Sequence, residues 1–390
     1  MAEREMRTGP RPDALPRRST ASAPRSPVAA SGLAGDPTLA GMSIDAAGKV
    51  HDVVIVGAGI AGLACARELR AAGCEVLVLD KSRGVGGRCT TRRMLGQPVD
   101  LGLSYYHADD PDLLAELAAV PATALPGWPH RVAGSGAPCH PAAFRPGQQR
   151  LAFAEGVNVF PRHLAQGLDM QLGTRVMRID PMPSHVTLEL EDGPPLRTRD
   201  VVLTCPTPQA GAILPNVQGR SLRAVQALLA QVVVHPCVTL ILGFPLDGAA
   251  PDFDVLYPGD SDLIQLISHD SAKREDPSYR VLVVQANAPW SHAHLEHSPD
   301  HWRAALTGEA ARLCGAWVRE PAWSELHRWR YAKTMPSTEM STPQVFGLPG
   351  GGQLGLGNEA FTSEAGVQGA YLAGRKLAQK LLTGQGARED

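Results

Sequence analysis

One stretch near residue 50 restricts the possible folds more than any other. His51-DVVIV-Gly57 is a short β-branched run of the kind buried in a parallel sheet. It passes directly into Gly57-Ala58-Gly59-Ile60-Ala61-Gly62. Leu63 to Ala72 then reads as a helix that ends near Gly73, and Glu75-VLVL-Asp80 reads as a second strand. Together these form a β-turn-α-β unit of the roughly thirty residues such a unit takes. Gly57 permits the tight turn, Gly59 lets a pyrophosphate approach the backbone, and Gly62 lets helix and strand pack closely. The helix N-terminus offers unpaired N–H groups to phosphate. Asp80 ends the second strand about twenty residues on, where a carboxylate accepts both hydroxyls of an adenosine ribose. The pattern predicts a Rossmann-type dinucleotide-binding domain.

The next residues, Lys81-SRGVGGRCTTR-Arg93, carry five basic side chains in a chain whose net charge is only -2. That balance argues against bulk nucleic-acid binding, so the cluster serves something local. Gly86-Gly87-Arg88 looks like the loop that crosses the pyrophosphate in one large class of FAD proteins. There Arg88 meets a phosphate or the flavin, whereas Arg92 and Arg93 read as a solvated turn. The seven cysteines are scattered without a CxxC, which fits reduced thiols in a cytoplasmic protein. No apolar run approaches the ~20 residues of a membrane span. Residues 1–50 are rich in Pro, Ala, Ser and Arg and lack aromatics, so they read as a disordered extension. A transit peptide and a start at Met42 are the other readings of that segment.

Asp80-Lys81-Ser82-Arg83-Gly84, Gly86-Gly87-Arg88, Asp100-Leu101-Gly102 and Tyr105-Tyr106 together resemble the renalase-type flavoproteins. These are FAD oxidoreductases distantly related to monoamine oxidases. The resemblance covers most of residues 51–384. It implies an α/β architecture, a two-dinucleotide-binding-fold flavoprotein with an inserted α+β substrate domain. FAD-binding segments are expected at 51–110, 160–215 and 318–384, and substrate-domain segments at 111–159 and 216–317. Phe160-Pro161 opens a short helix, with Pro at its first position. Thr174-RVMRI-Asp180, Val186-TLEL-Glu191 and Asp200-VVLT-Cys205 read as strands. The resemblance places the Val176 backbone at the adenine, unless Val176 is a plain core residue.

Gly366-VQGAYLAGRKLAQKLL is a helix by its apolar spacing, and the resemblance sets its N-terminus, with Val367, at the flavin. Asn358 and Gln368 stand where the family commonly has acids. The implied cofactor set is Gly57, Gly59, Ile60, Ala61, Gly62, Asp80, Lys81, Gly87, Arg88, Val176, Asn358, Val367 and Gln368.

In the inserted segment, Gln231-VVVHPCVTLILG-Phe244, Leu263-IQL-Ile267 and Tyr279-RVLVVQANAP-Trp290 read as strands, with Pro236 marking an edge or a break. Ser298-Pro299 caps a helix to about Cys314. Ala286-NAPWSHAHLEH-Ser298 and His327-Arg328-Trp329-Arg330-Tyr331 resemble segments at the substrate face. Tyr105, Trp290, Trp329 and Tyr331 are then candidates to sandwich a flat substrate, and Arg328 or Arg330 to meet its phosphate or carboxylate. His292, His294, His297 and His301 lack the Cys or Glu-x-x-His context of a zinc site and read as solvated or substrate-facing. No metal and no catalytic acid or base is expected.

The implied reaction is oxidation of the 2- and 6-dihydro isomers of NAD(P), with hydride passing to flavin N5 and O2 as acceptor. Two rivals share the FAD fingerprint. One is an amine oxidase-like or desaturase-like enzyme on another small molecule. The other is a non-catalytic FAD-binding protein.

Overall fold

The computed structural model describes residues 49–214, 220–364 and 366–386. The expected 1–50 extension therefore lies, up to residue 48, outside the described residues, as does the 215/216 boundary.

The strand β1 (Val50–Val56), helix α1 (Ile60–Ala71) and strand β2 (Val76–Asp80) form where the glycine spacing places them. Strand β1 pairs in parallel with β2 on one side and with Leu196–Leu203 on the other. Such strands are buried on both faces, which is why Val53, Val54 and Ile55 are all apolar and fully buried. The eight-stranded sheet is completed by Asp169–Leu172 beyond β2, by Val186–Leu190 and Val176–Pro181 beyond Leu196–Leu203, and by Gln353–Leu356 with Gln344–Gly347. Helix Gly366–Gly386 packs along α1, where Gly374 leaves no room for a side chain: a Cβ there would stand 2.2 Å from the Ala61 carbonyl oxygen.

A second sheet of six strands has the order Trp323–Thr334, Val234–Phe244, Arg280–Ala286, Ile264–His269, Val255–Leu256, Val132–Ala133. Its two faces differ. Val238, Leu240, Leu242, Leu282 and Val284 pack under helices Ala288–His294 and Pro299–Cys314, with Trp290 and Trp302. On the other face Ile241, Val281 and Val283 pack against Val99 and Leu101. Val99 lies in the second strand of a hairpin, Thr91–Met94 with Gln97–Asp100, and Leu101 follows it; the hairpin's turn holds Leu95 and Gly96 at positive φ. Arg92 and Arg93 are exposed within that hairpin.

Several expectations need correction. Trp323–Thr334 falls within the 318–384 segment grouped with the FAD domain, but it is an edge strand of the second sheet, paired with Val234–Phe244. The strand at Tyr279 stops at Ala286; Asn287 then caps a helix by accepting from the Trp290 N–H at 2.9 Å. The helix at Phe160 begins at Val159, so Pro161 is its third residue. Pro236 does mark a break: pairing slips between His235 and Cys237. Ser298 caps its helix as expected, accepting from the His301 N–H.

Candidate functional site

Backbone builds the first half of the site. Gly57 has φ +120°, and a Cβ there would meet Thr204 Oγ1 at 2.6 Å. At Gly62 a Cβ would lie 1.9 Å from the Gly57 carbonyl oxygen, so the turn and α1 can touch only through glycine. Gly59 is the opposite case, because nothing lies within 4 Å of its Cβ position. Gly59 is also the N-cap of α1, and no side chain caps the helix. Its first-turn N–H groups, at Ile60 and Ala61, thus open onto this space. The second glycine loop closes the other side: Gly86 N–H donates to the Ala58 carbonyl at 2.8 Å, and the Gly87 Cβ position is 3.9 Å from Gly59 Cα. Asp80 ties the turns together, accepting from the Ala58 N–H at 2.8 Å and the Ser82 N–H at 2.7 Å. Each carboxylate oxygen keeps a further lone pair. Lys81 beside it is exposed.

Side chains expected at the cofactor are largely occupied by the protein itself. Both terminal nitrogens of Arg88 bond the Glu359 carboxylate, and one also donates to the Ala332 carbonyl at 3.3 Å. Burial alone would lower the Arg88 pKa, but the charge and hydrogen bonds of Glu359 together outweigh it and raise it. Burial would likewise raise Glu359, yet Arg88 holds it below the usual carboxylate value. Thr334 Oγ1 adds a bond to Glu359 at 3.0 Å. Arg88 therefore joins its loop to the edge strand and the 357–361 turn, and is not left free for a phosphate. Sequence reasoning missed Glu359, because its partner lies 271 residues away and Asn358 drew the attention.

Asn358 donates to the Cys205 carbonyl at 2.7 Å and accepts from the Ala360 N–H at 2.8 Å. Gln368 accepts from the Asp109 and Asp110 N–H groups and donates to the Asp109 carboxylate at 2.7 Å. An acid at 368 would face Asp109, so an amide suits the position. Neither side chain points as a cofactor ligand was expected to. Val176 is a core residue, 5% exposed and paired with Leu190, while Val367 is buried at the start of the last helix.

The candidate substrate residues are divided between the two faces of the second sheet. Directly opposed residues of antiparallel strands share a face. His327, Thr239 and Gln285 are opposed in turn, and Trp329 lies opposite Cys237. This row is polar and continues the face that carries Ile241 and Val283. Gln285 donates to the Gly102 carbonyl at 2.5 Å. A Cβ on Gly102 would meet Trp329 at 3.2 Å and the Arg88 carbonyl oxygen at 2.3 Å. Trp329 is thus beside the segment that follows the cofactor loops, and its indole N–H has no partner among the described residues. Burial, and then Arg92, push His327 down to about 4.

Trp290 and Arg328 lie on the other, helix-covered face. Trp290 stacks on His294 at 4.6 Å. Arg328 is opposite Val238 and, with Arg330, pairs with Glu296 at the surface. Neither fits a substrate wall shared with Trp329. Tyr331 is half-buried where the strand pairing slips. Tyr105 is buried and its hydroxyl is 2.8 Å from that of Tyr257. His294, His297 and His301 cluster ring on ring. Among the described residues no group of three or more His, Cys, Asp or Glu side chains is arranged to hold a metal, and no helix is long and apolar enough to cross a membrane.

Family models match the chain in two blocks: an NAD(P)-binding Rossmann-like domain over residues 55–119, and flavin containing amine oxidoreductase over residues 133–382. The second block is well over half of the chain. It belongs to the flavin-containing amine oxidoreductase family. AofH of Mycobacterium tuberculosis, named provisionally as a flavin-containing monoamine oxidase, is 52% identical over 64 residues, 16% of this chain and 14% of that one. Pseudooxynicotine dehydrogenase of a Pseudomonas species is 37% identical over 67 residues, 17% and 14% of the two chains. The match thus spans about one seventh of each relative's length. Putrescine oxidase bound to putrescine superposes with a TM-score of 0.63 at 16% identity, over 86% of this chain and 99% of that one. Cyclohexylamine oxidase from Brevibacterium oxydans gives 0.65 at 15% identity, over 87% and 100%. At these identities the likeness is one of fold.

FAD is the cofactor of this family, and the residues present suit it. The uncapped α1 terminus and the open space at Gly59 fit a pyrophosphate, and Asp80 retains acceptors for ribose hydroxyls. Near the start of the last helix are two more groups that sequence reasoning missed. Among the described residues His107 Nε2 is buried without a partner, 3.4 Å from the Gly366 Cβ position, and His140 Nδ1 is likewise unpaired. Burial, then Lys333 and His107, push His140 down to about 3, and burial lowers His107. Both are neutral imidazoles at pH 7. Nothing in the local sequence marks either one.

Proposed function

We propose that this family member is an oxidase of the renalase type, acting on the 2- and 6-dihydro isomers of NAD(P). The supporting observation is the charge along the Trp329 face. Arg92 lies close enough to lower His327, and Lys333 stands beyond Trp329 on the same strand, against one acid on that face, Glu325 opposite Ile241. The two buried carboxylates that border the wall are each matched, Glu359 by Arg88 and Asp100 by Lys273 and Arg274. Such surroundings repel a protonated amine and attract the phosphates of a dinucleotide.

FAD, when bound, would supply the two-electron acceptor for the hydride, and O2 with one proton from solvent would carry the electrons away as hydrogen peroxide. The chain's own part is placement. The Ile60 and Ala61 N–H groups and the Gly87 loop hold the pyrophosphate. Asp80, with Lys81 beside it, would take the adenosine ribose. Trp329 and Tyr105 would flank the flat ring, and Gln285, whose nitrogen already donates to the Gly102 carbonyl, would offer its amide oxygen to the carboxamide N–H. A dihydronicotinamide becomes an aromatic cation without losing an N–H proton. It therefore needs no base.

The family match favours a second reading, oxidation of a small amine. Anaerobic mixing separates the two. The yellow protein is exposed to 6-dihydroNAD, ordinary NADH and a panel of amines while the flavin band is followed. Bleaching by the isomer alone, reversed by air, is expected. Bleaching by an amine and not by the isomer overturns the reading in favour of the second.

A further inference from the structure

Four charged side chains are buried where the two sheets meet, and the reaction as drawn uses none of them. Lys273 and Asp100 are fully buried, and Asp270 and Arg274 are 1% and 3% exposed at their side chains. Lys273 Nζ donates to Asp100 at 2.6 Å, Asp270 at 2.7 Å and the Ser104 carbonyl at 3.0 Å. Arg274 donates to Asp100 at 2.9 Å and Asp270 at 2.7 Å, and to the Phe153 and Ala154 carbonyls at 3.2 and 2.9 Å. Asp100 also accepts from Thr91 Oγ1 at 2.6 Å and from the Val157 N–H at 3.0 Å. Two cations balance two anions, and four chain segments are tied at one point.

Stability is a weak reason to keep such a group. Desolvating four charges cancels most of their attraction, and well-packed apolar replacements are often as stable. Its position suggests another reason. Asp100 and Ser104 bracket Gly102, the residue between Trp329 and the Arg88 carbonyl. Gln285 fixes the Gly102 carbonyl from the second sheet. Lys273 also lies 4.9 Å over the Trp128 ring, which meets Tyr105 edge-on at 5.7 Å. The segment 100–105 is thus held at both ends and from both sheets. Burial would raise the Asp100 pKa, but Lys273 and Arg274 together outweigh it and hold it near 2, so Asp100 stays charged through the range in which enzymes work.

We infer that Lys273 is a positioning residue: with Asp100, Asp270 and Arg274 it fixes the Gly102–Tyr105 wall against the flavin and so sets turnover. The inference rests on the proposed placement of that wall at the substrate. The test is the charge-balanced double variant Lys273→Met with Asp270→Asn, compared with wild type as FAD-loaded protein. It should bind one FAD and melt within a few degrees of wild type. Its kcat should fall by about a hundredfold, the cost of a displacement near 1 Å, and its flavin absorption band should change shape. Wild-type kcat, KM and flavin band in that variant would overturn the inference. If the double variant does not fold, Lys273→Arg decides. It keeps the charge but cannot reproduce the three bonds of Nζ, and wild-type kinetics with an unchanged band would again refute the role. If wild type oxidises no offered substrate, the functional reading fails by itself. The flavin band and the rate at which light-reduced flavin is reoxidised by O2 still judge the clamp.

Discussion

The glycine turn after β1 and the polar face of the second sheet both border the candidate site, yet they are built by different means. At the turn, the backbone makes the site. Residue type matters through what it lacks, and Gly57, Gly59 and Gly62 each solve a separate problem of space. On the sheet, side chains make the site. Every second residue faces it, and a neighbour in sequence faces away from it. A backbone site leaves a fixed spacing in the sequence. A sheet-face site leaves only alternation, which disappears when both faces carry polar and aromatic residues.

The largest effects should come from the turn. Gly62→Ala puts a methyl group 1.9 Å from the Gly57 carbonyl oxygen and 2.7 Å from Thr204 Oγ1. Neither neighbour can retreat without opening the α1 contact, so a loss of several kcal/mol, with failure to retain FAD, is expected. Gly59→Ala meets nothing within 4 Å in the protein. It should fold with a nearly unchanged melting temperature and still lose FAD affinity, because the methyl occupies the cofactor's space. Thermal melts with FAD titration separate the two variants. Equal loss of stability in both would break the distinction between a packing glycine and a ligand glycine.

The two faces of the second sheet offer an intermediate contrast. Trp290 is 9% exposed and sits in the core under the helices. Trp290→Ala should cost about 3–5 kcal/mol through the cavity it leaves, with kcat and KM of the surviving protein close to wild type. Trp329 is half-buried beside Gly102. Trp329→Ala should cost less stability and raise KM or lower kcat for the accepted substrate. If the kinetic defect follows Trp290 instead, the assignment of faces is wrong.

This division explains what could be read from the sequence. The β1-turn-α1-β2 unit, the Ser298-Pro299 cap and the long last helix follow from spacing and capping chemistry, which are local. Asn287 with Pro289 is an equally local helix start, but the β-branched run directly before it masks the point where the strand ends. Trp323–Thr334 could not be assigned to its sheet, since the alternation of His327, Trp329 and Tyr331 with Arg328 and Arg330 marks a strand but does not say which strand it pairs with. Arg88 was found as a motif, but its partner Glu359 was not, and the Gln368 bonds to Asp109 were equally hidden. Those pairings depend on the chain's route through space. A chemically specific residue can be read from sequence alone, whereas the group that satisfies it usually cannot.

Arg328 gives the smallest effect and the sharpest check on the faces. Its side chain is 42% exposed and its partner Glu296 is 66% exposed, with Arg330 on the same carboxylate at 2.6 Å. An exposed ion pair contributes roughly 0–1 kcal/mol, and the second arginine keeps Glu296 partnered. Arg328 also lies 6.0 Å from the Trp302 ring, on the side away from Trp329. Arg328→Ala should therefore shift the melting point by no more than a degree or two and leave KM for a dinucleotide substrate unchanged. A residue one position from Trp329 would ordinarily be counted among the substrate contacts. A tenfold rise in KM for Arg328→Ala would show that the anionic end of the substrate reaches around the edge strand, and that Trp290 and Trp329 bound one continuous site after all.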